Sequence, residues 1–152
     1  MNTITNSWIV VADETRGRIF NARDRTGGIA EIKTLIHPES RVPEKSLATH
    51  TTGTDQTQNG REHHGLNEQG KLKDYQALLF AKEIAGVLEA ARHKNRFARL
   101  IIVAAPRFLG ALRKELSVSL SRLVAFELDQ DLTKHSTEDV RSHLPEHLPL
   151  ID

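Results

Sequence analysis

Asp13 and Arg107 are the side chains whose types and settings point most directly to chemistry, because each stands where an apolar run ends. Asp13 follows Trp8 to Ala12 (WIVVA), and Arg107 follows Leu100 to Ala105 with only Pro106 between. If those runs are neighbouring parallel strands, their carboxyl ends meet at the edge where open α/β sheets usually hold ligands. Arg107 then lies in the first turn of a helix, where a cation costs about 0.3 to 1 kcal/mol against the helix dipole. Something must compensate it. One candidate is an Asp13–Arg107 ion pair or a solvated arginine, since such surface pairs contribute little. The other is a bound anion, such as a phosphate, held by Arg107 and nearby backbone donors.

Other residue sets fit other chemistries less well. A two-metal nuclease needs several carboxylates converging on the strand ends. Asp13 supplies one, yet Val103 to Pro106 carries no acid, and Glu127 and Asp129 on the last strand would have to converge with Asp13. His50, His63 and His64 share a polar stretch with Asp55 and Glu62, but their spacing matches no zinc motif, so they read as solvated and no metal is expected. Ser117, Ser119 and Ser121 sit in no Gly-x-Ser-x-Gly turn, so no nucleophilic triad is expected and no catalytic residue is assigned. Arg92, His93, Lys94, Arg96 and Arg99 form a local basic cluster. It suits the carboxyl end of a helix and could also touch a phosphate backbone, which makes Arg96 a binding candidate.

The elements that must position these residues follow from composition and pattern. At 152 residues and 38% hydrophobic content the chain fits a single domain spanning 1–152. It contains no cysteine, which removes disulfides and thiolate metal sites, and no apolar run approaches a membrane span. The start MNTITNSWIVVADE lacks the basic region of a secretion signal, so a cytoplasmic home and no membrane partner are expected. The net charge is +1, which gives no overall field for nucleic acid, so only a local basic patch could attract it.

WIVVA reads as a strand, Arg18 to Ala22 as its hairpin partner and Ile29 to Ile36 as a third strand. Residues 37–72 then change character, with few large apolar groups and glycines at 53, 60, 65 and 70. A long mobile loop is expected there, of the kind that is either functional or disordered. Asp74 to His93 places Ala77, Phe80, Ala81, Ile84, Val87, Leu88 and Ala91 on one helical face. Leu100 to Ala105 has no alternation, the mark of a strand buried on both faces, and Pro106 opens a helix through Leu116. A further helical turn over Ser117 to Arg122 leads into a last strand, Leu123 to Leu128, and Ser136 with Asp139 caps a short terminal helix. The order β-β-β-α-β-α-β predicts an α/β, ribonuclease-H-like mixed sheet of five strands, ordered 3-2-1-4-5 and flanked by helices.

Five segments carry a resemblance: WIVVADETRGRIF (8–20), LIHPESR (35–41), GREHH (60–64), RLIIVAAPRFLGALRKEL (99–116) and ELDQDLT (127–133). They resemble the bacterial host-attachment proteins, described as proteins required for attachment to host cells, with VAAPRFLGALR as the most specific part. The resemblance implies a small cytosolic domain related to the middle domain of archaeal and eukaryotic peptide-release factors. In those relatives the loop before the long helix carries a Gly-Gly-Gln tip that enters the peptidyl-transferase centre. Here that loop reads TGTDQTQNGREHHG, with Gln56 and Gln58 but no Gly-Gly-Gln. The resemblance therefore implies a non-catalytic RNA- or ribosome-associated module without a cofactor, probing its partner with the Thr49 to Gly65 loop and so with Arg61, His63 and His64. Two other readings stay open: a protein-interaction factor for attachment, and an enzyme with a site near Asp13 and Arg107.

Overall fold

The computed structural model describes residues 6–37 and 62–149, with the backbone alone over 62–69. Three strands come first: β1 (Ser7–Ala12), β2 (Arg16–Ala22) and β3 (Ala30–Ile36). The long helix α1 (Glu62–His93) leads to β4 (Arg99–Ala104), then α2 (Pro106–Glu115), α3 (Val118–Leu123), β5 (Val124–Leu128) and α4 (Thr137–Ser142). The five-stranded sheet has the order β3-β2-β1-β4-β5. β1 runs antiparallel to β2 and parallel to β4, with Ile9 opposite Ile101 and Ala12 opposite Ala104. The predicted sheet order and the parallel pairing of the two apolar runs are both present.

Why those runs lack alternation is visible in the packing. Val10 and Ala12 of β1, with Leu100, Ile102 and Ala104 of β4, enter a core beneath α1, α2 and α3 built on Phe80, Ile84, Leu88, Phe108 and Leu112. Their neighbours Ile9, Val11, Ile101 and Val103 enter a second core on the opposite face with Phe20, Leu132, Val140, Leu144 and Leu148. Both faces are dry, so every position of the central strands must be apolar. Gly17 marks a close approach on the helical face, since a Cβ there would lie 3.2 Å from Ile84 Cδ1.

Helix α1 begins at Glu62, which corrects the expectation of irregular chain from 37 to 72. Leu66, Glu68, Gln69, Lys71 and Leu72 are good helix formers, and together they outweigh Gly65 and Gly70, each worth about 1 kcal/mol against the helix. The space beside Gly70 is open, so nothing in the packing opposes the helix there. His63 and His64 belong to its first turn by backbone, while Arg61, His50 and the rest of 38–61 lie outside the described residues.

Candidate functional site

Asp13 closes β1 with a buried carboxylate, 8% exposed, and its partners are local. Oδ1 accepts from the Thr15 backbone N–H at 2.8 Å, the Thr15 hydroxyl at 2.8 Å and the Arg16 N–H at 2.9 Å, which folds the β1–β2 turn around one oxygen. Oδ2 faces the Thr133 hydroxyl at 3.2 Å. That hydroxyl also approaches Asp131 Oδ1 at 2.7 Å, so its one proton serves the two carboxylates in turn. Burial pushes the Asp13 carboxyl up, but the bonds from Thr15, Arg16 and Thr133 together outweigh burial and hold it below its ordinary value.

A residue given no role in the sequence reading joins this knot. Arg18 forks onto Glu31, with Nη2 at 2.8 Å, and its Nη1 donates to the carbonyls of Thr133 at 3.2 Å and His135 at 2.5 Å. The guanidinium lies 4.9 Å over the Phe20 ring and only 13% of the side chain is exposed. Asp13 and Arg18 together therefore staple the 131–135 segment to the first two strands. His135 continues it by pairing with Asp139 of α4, and its ring meets His143 edge-on at 5.6 Å. The glutamate partner holds its own carboxyl low, chiefly through the bond from Arg18.

Arg107 stands at the same sheet edge but on the other side. It follows β4 on α2, over the helical core, and its Nη2 donates to Asp74 of α1 at 2.8 Å. The expected Asp13–Arg107 ion pair is thus replaced by two separate arrangements. Side-chain parity explains this: Ala12 points to the helical core, so Asp13, one residue on, turns to the opposite face. The Arg107–Asp74 pair is open to water, with 82% and 67% of the two side chains exposed, and contributes little to stability.

Around Arg107 lies a cleft between α1 and α2 of about 420 Å³. Lys73, Arg107 and Lys114 stand on its rim with Asp74 and Glu14, and Ala77, Leu78, Phe108 and Ala111 supply apolar walls. Gly110 also lines it, with open space where a Cβ would project. Lys73 and Lys114 had no signal of their own in the sequence, since single lysines on amphipathic helices read as solvated faces.

The remaining candidates are not brought to this place. Arg96 is exposed in the turn between α1 and β4, at the opposite end of β4 from Arg107, and its carbonyl accepts from Asn6 Nδ2 at 2.7 Å. In the same basic cluster Arg92 and His93 are occupied by Glu89, at 2.5 and 3.2 Å. Glu127 of the nuclease hypothesis pairs with Arg113 at 2.5 Å, away from Asp13. Among the described residues no three His, Asp or Glu side chains converge as a metal site. No helix among them is long and apolar enough to cross a membrane.

Comparison with known proteins agrees with the resemblance to host-attachment proteins. A curated protein of Rickettsia prowazekii (strain Madrid E), described only as uncharacterized, is 34% identical over 71 residues, which is 45% of this chain and 47% of that protein. The chain thus matches about half the length of that relative. A family profile described as "Protein required for attachment to host cells" matches residues 8–144, from β1 to just beyond α4. The chain belongs to the family of proteins required for attachment to host cells.

Proposed function

We propose that the protein is a non-catalytic RNA-binding module that works in association with ribosomes and influences attachment to host cells indirectly, through that RNA. The observation that carries this reading is the α1–α2 cleft, whose lining brings Lys73, Arg107 and Lys114 together, three cations against Asp74 and Glu14. Arg107 is the best placed of the three. Its partner Asp74 is solvated, so exchanging that carboxylate for a phosphate sacrifices only a weak surface pair and gains a charge-assisted, two-pronged contact. A kinship with release-factor middle domains would bring such a module to the ribosome.

An enzyme centred jointly on Asp13 and Arg107 is less well supported, because the two groups face opposite sides of the sheet and Asp13 is occupied by its own turn and by Thr133.

Sucrose-gradient cosedimentation with ribosomes, together with RNA titrations over a range of salt, tests the proposal. The wild-type chain is expected in ribosomal fractions. The triple variant Lys73→Ala, Arg107→Ala, Lys114→Ala should leave them, with a salt slope lower by up to about 2 to 3. Absence of the wild-type chain from those fractions, with no RNA bound, would refute it.

A further inference from the structure

Resting on that reading, we propose that the α1–α2 cleft receives one unpaired nucleotide of the RNA, its phosphate on the cationic rim and its base against the aliphatic floor. A duplex offers evenly spaced phosphates on a convex surface and hides its base faces, and a flat basic surface suits it best. Here the cations instead line a concavity of about 420 Å³, within the usual range of about 300 to 1,000 Å³ for small-molecule sites. Ala77, Leu78 and Ala111 present alkyl surface that a phosphate cannot use and a base plane can. Asp74 gives up its bond to Arg107 when the phosphate arrives and, with Glu14 on the same rim, is left to accept from ribose hydroxyls and to disfavour a second phosphate, so the site suits one nucleotide better than a continuous backbone.

Gly110 keeps the cleft open. A Cβ at that position would meet no atom within 4 Å, and because Gly110 lines the cleft, a large side chain there competes with a base for its volume. Gly110→Leu therefore puts a bulky side chain on the cleft wall, in a residue type that favours the helix, and it leaves Lys73, Arg107 and Lys114 in place.

The test uses the full chain and fluorescence anisotropy with two labelled probes, a short oligoadenylate strand and an RNA duplex of about 16 base pairs. Wild-type protein should favour the single strand at least tenfold. Gly110→Leu should erase that preference, with circular dichroism confirming the fold. As a measurement independent of any variant, adenosine 5′-monophosphate titrated into the wild-type chain should move the amide resonances of Ala77, Leu78, Gly110 and Ala111. Equal binding of strand and duplex, single-strand binding unaffected by Gly110→Leu, or shifts that miss those amides would overturn the inference and leave the RNA-binding reading standing. If neither RNA binds, that reading falls and the inference falls with it.

Discussion

Asp13→Ala tests whether the carboxyl end of β1 is held by one carboxylate. The side chain accepts three bonds on Oδ1 and faces a fourth donor on Oδ2, at 2.8 to 3.2 Å, from a position 8% exposed. A hydrogen bond to a charged group contributes about 1.5 to 3 kcal/mol, but four sharing one acceptor group are far from additive. Thr15 and Arg16 are half-buried, so water recovers part of what their N–H groups lose. A net loss of about 3 kcal/mol follows, a large share of a typical total of about 5 to 15 kcal/mol. In a chain of this size that corresponds to a fall in Tm of about 6 to 12 °C.

The pH dependence supplies a second readout. Because the folded carboxyl lies below its unfolded value of about 3.9, its stabilisation is fully present above that pH and is lost as pH falls through the folded value. The difference between wild type and Asp13→Asn in urea should therefore be constant from pH 7 to about 5 and narrow as the pH is lowered toward 2. A loss below about 0.5 kcal/mol for Asp13→Ala, or a gap between wild type and Asp13→Asn that ignores pH, would refute the claim that this charge organises the turn.

Arg18→Lys keeps the charge but cannot fork between Glu31 and the carbonyls of Thr133 and His135, so urea melts should show a loss of about 1 to 2 kcal/mol, with positive coupling to Glu31→Gln in a double-mutant cycle. Glu89, held by the Arg92 guanidinium and by the Ser117 hydroxyl, should titrate at about 2 in carboxyl-resolved NMR, and Ser117→Ala should move it upward. With the folded value depressed, whatever stability that carboxylate adds is present above its ordinary range and fades as pH falls toward 2. Phe80→Ala removes a fully buried ring packed on His37 and Phe108, and should cost about 3 to 5 kcal/mol by chemical denaturation.

What the sequence makes legible is whatever burial alone dictates. The central strands announce themselves because both of their faces are dry, and Ser136 caps α4 by accepting from the Asp139 N–H at 3.1 Å, as its spacing suggests. The start of α1 was hidden because glycines at 65 and 70 weigh against a helix locally, while the leucines, glutamate and lysine around them act only when summed over several turns. Arg18 was hidden for another reason. Its partners Glu31, Thr133 and His135 are 13, 115 and 117 residues away, and no local pattern reports a contact of that range. The rim lysines of the cleft are equally silent, since their meaning comes from the angle at which two helices pack.

The same physics separates the two residues that looked like one site. A strand turns successive side chains to opposite faces, so Ala12 in the helical core commits Asp13 to the face covered by α4 and the 131–135 segment. Arg107 leaves β4 by a helix that must cover the other face, because α2 buries Phe108, Leu109 and Leu112 against α1 and the strands. Sharing an edge of the sheet therefore does not bring them into one pocket, since the sheet itself stands between them. One side of that edge is closed by an acid serving its own turn. On the other, Arg107 pairs with Asp74 on water-exposed surface beside the α1–α2 cleft, and that pair adds little to the fold.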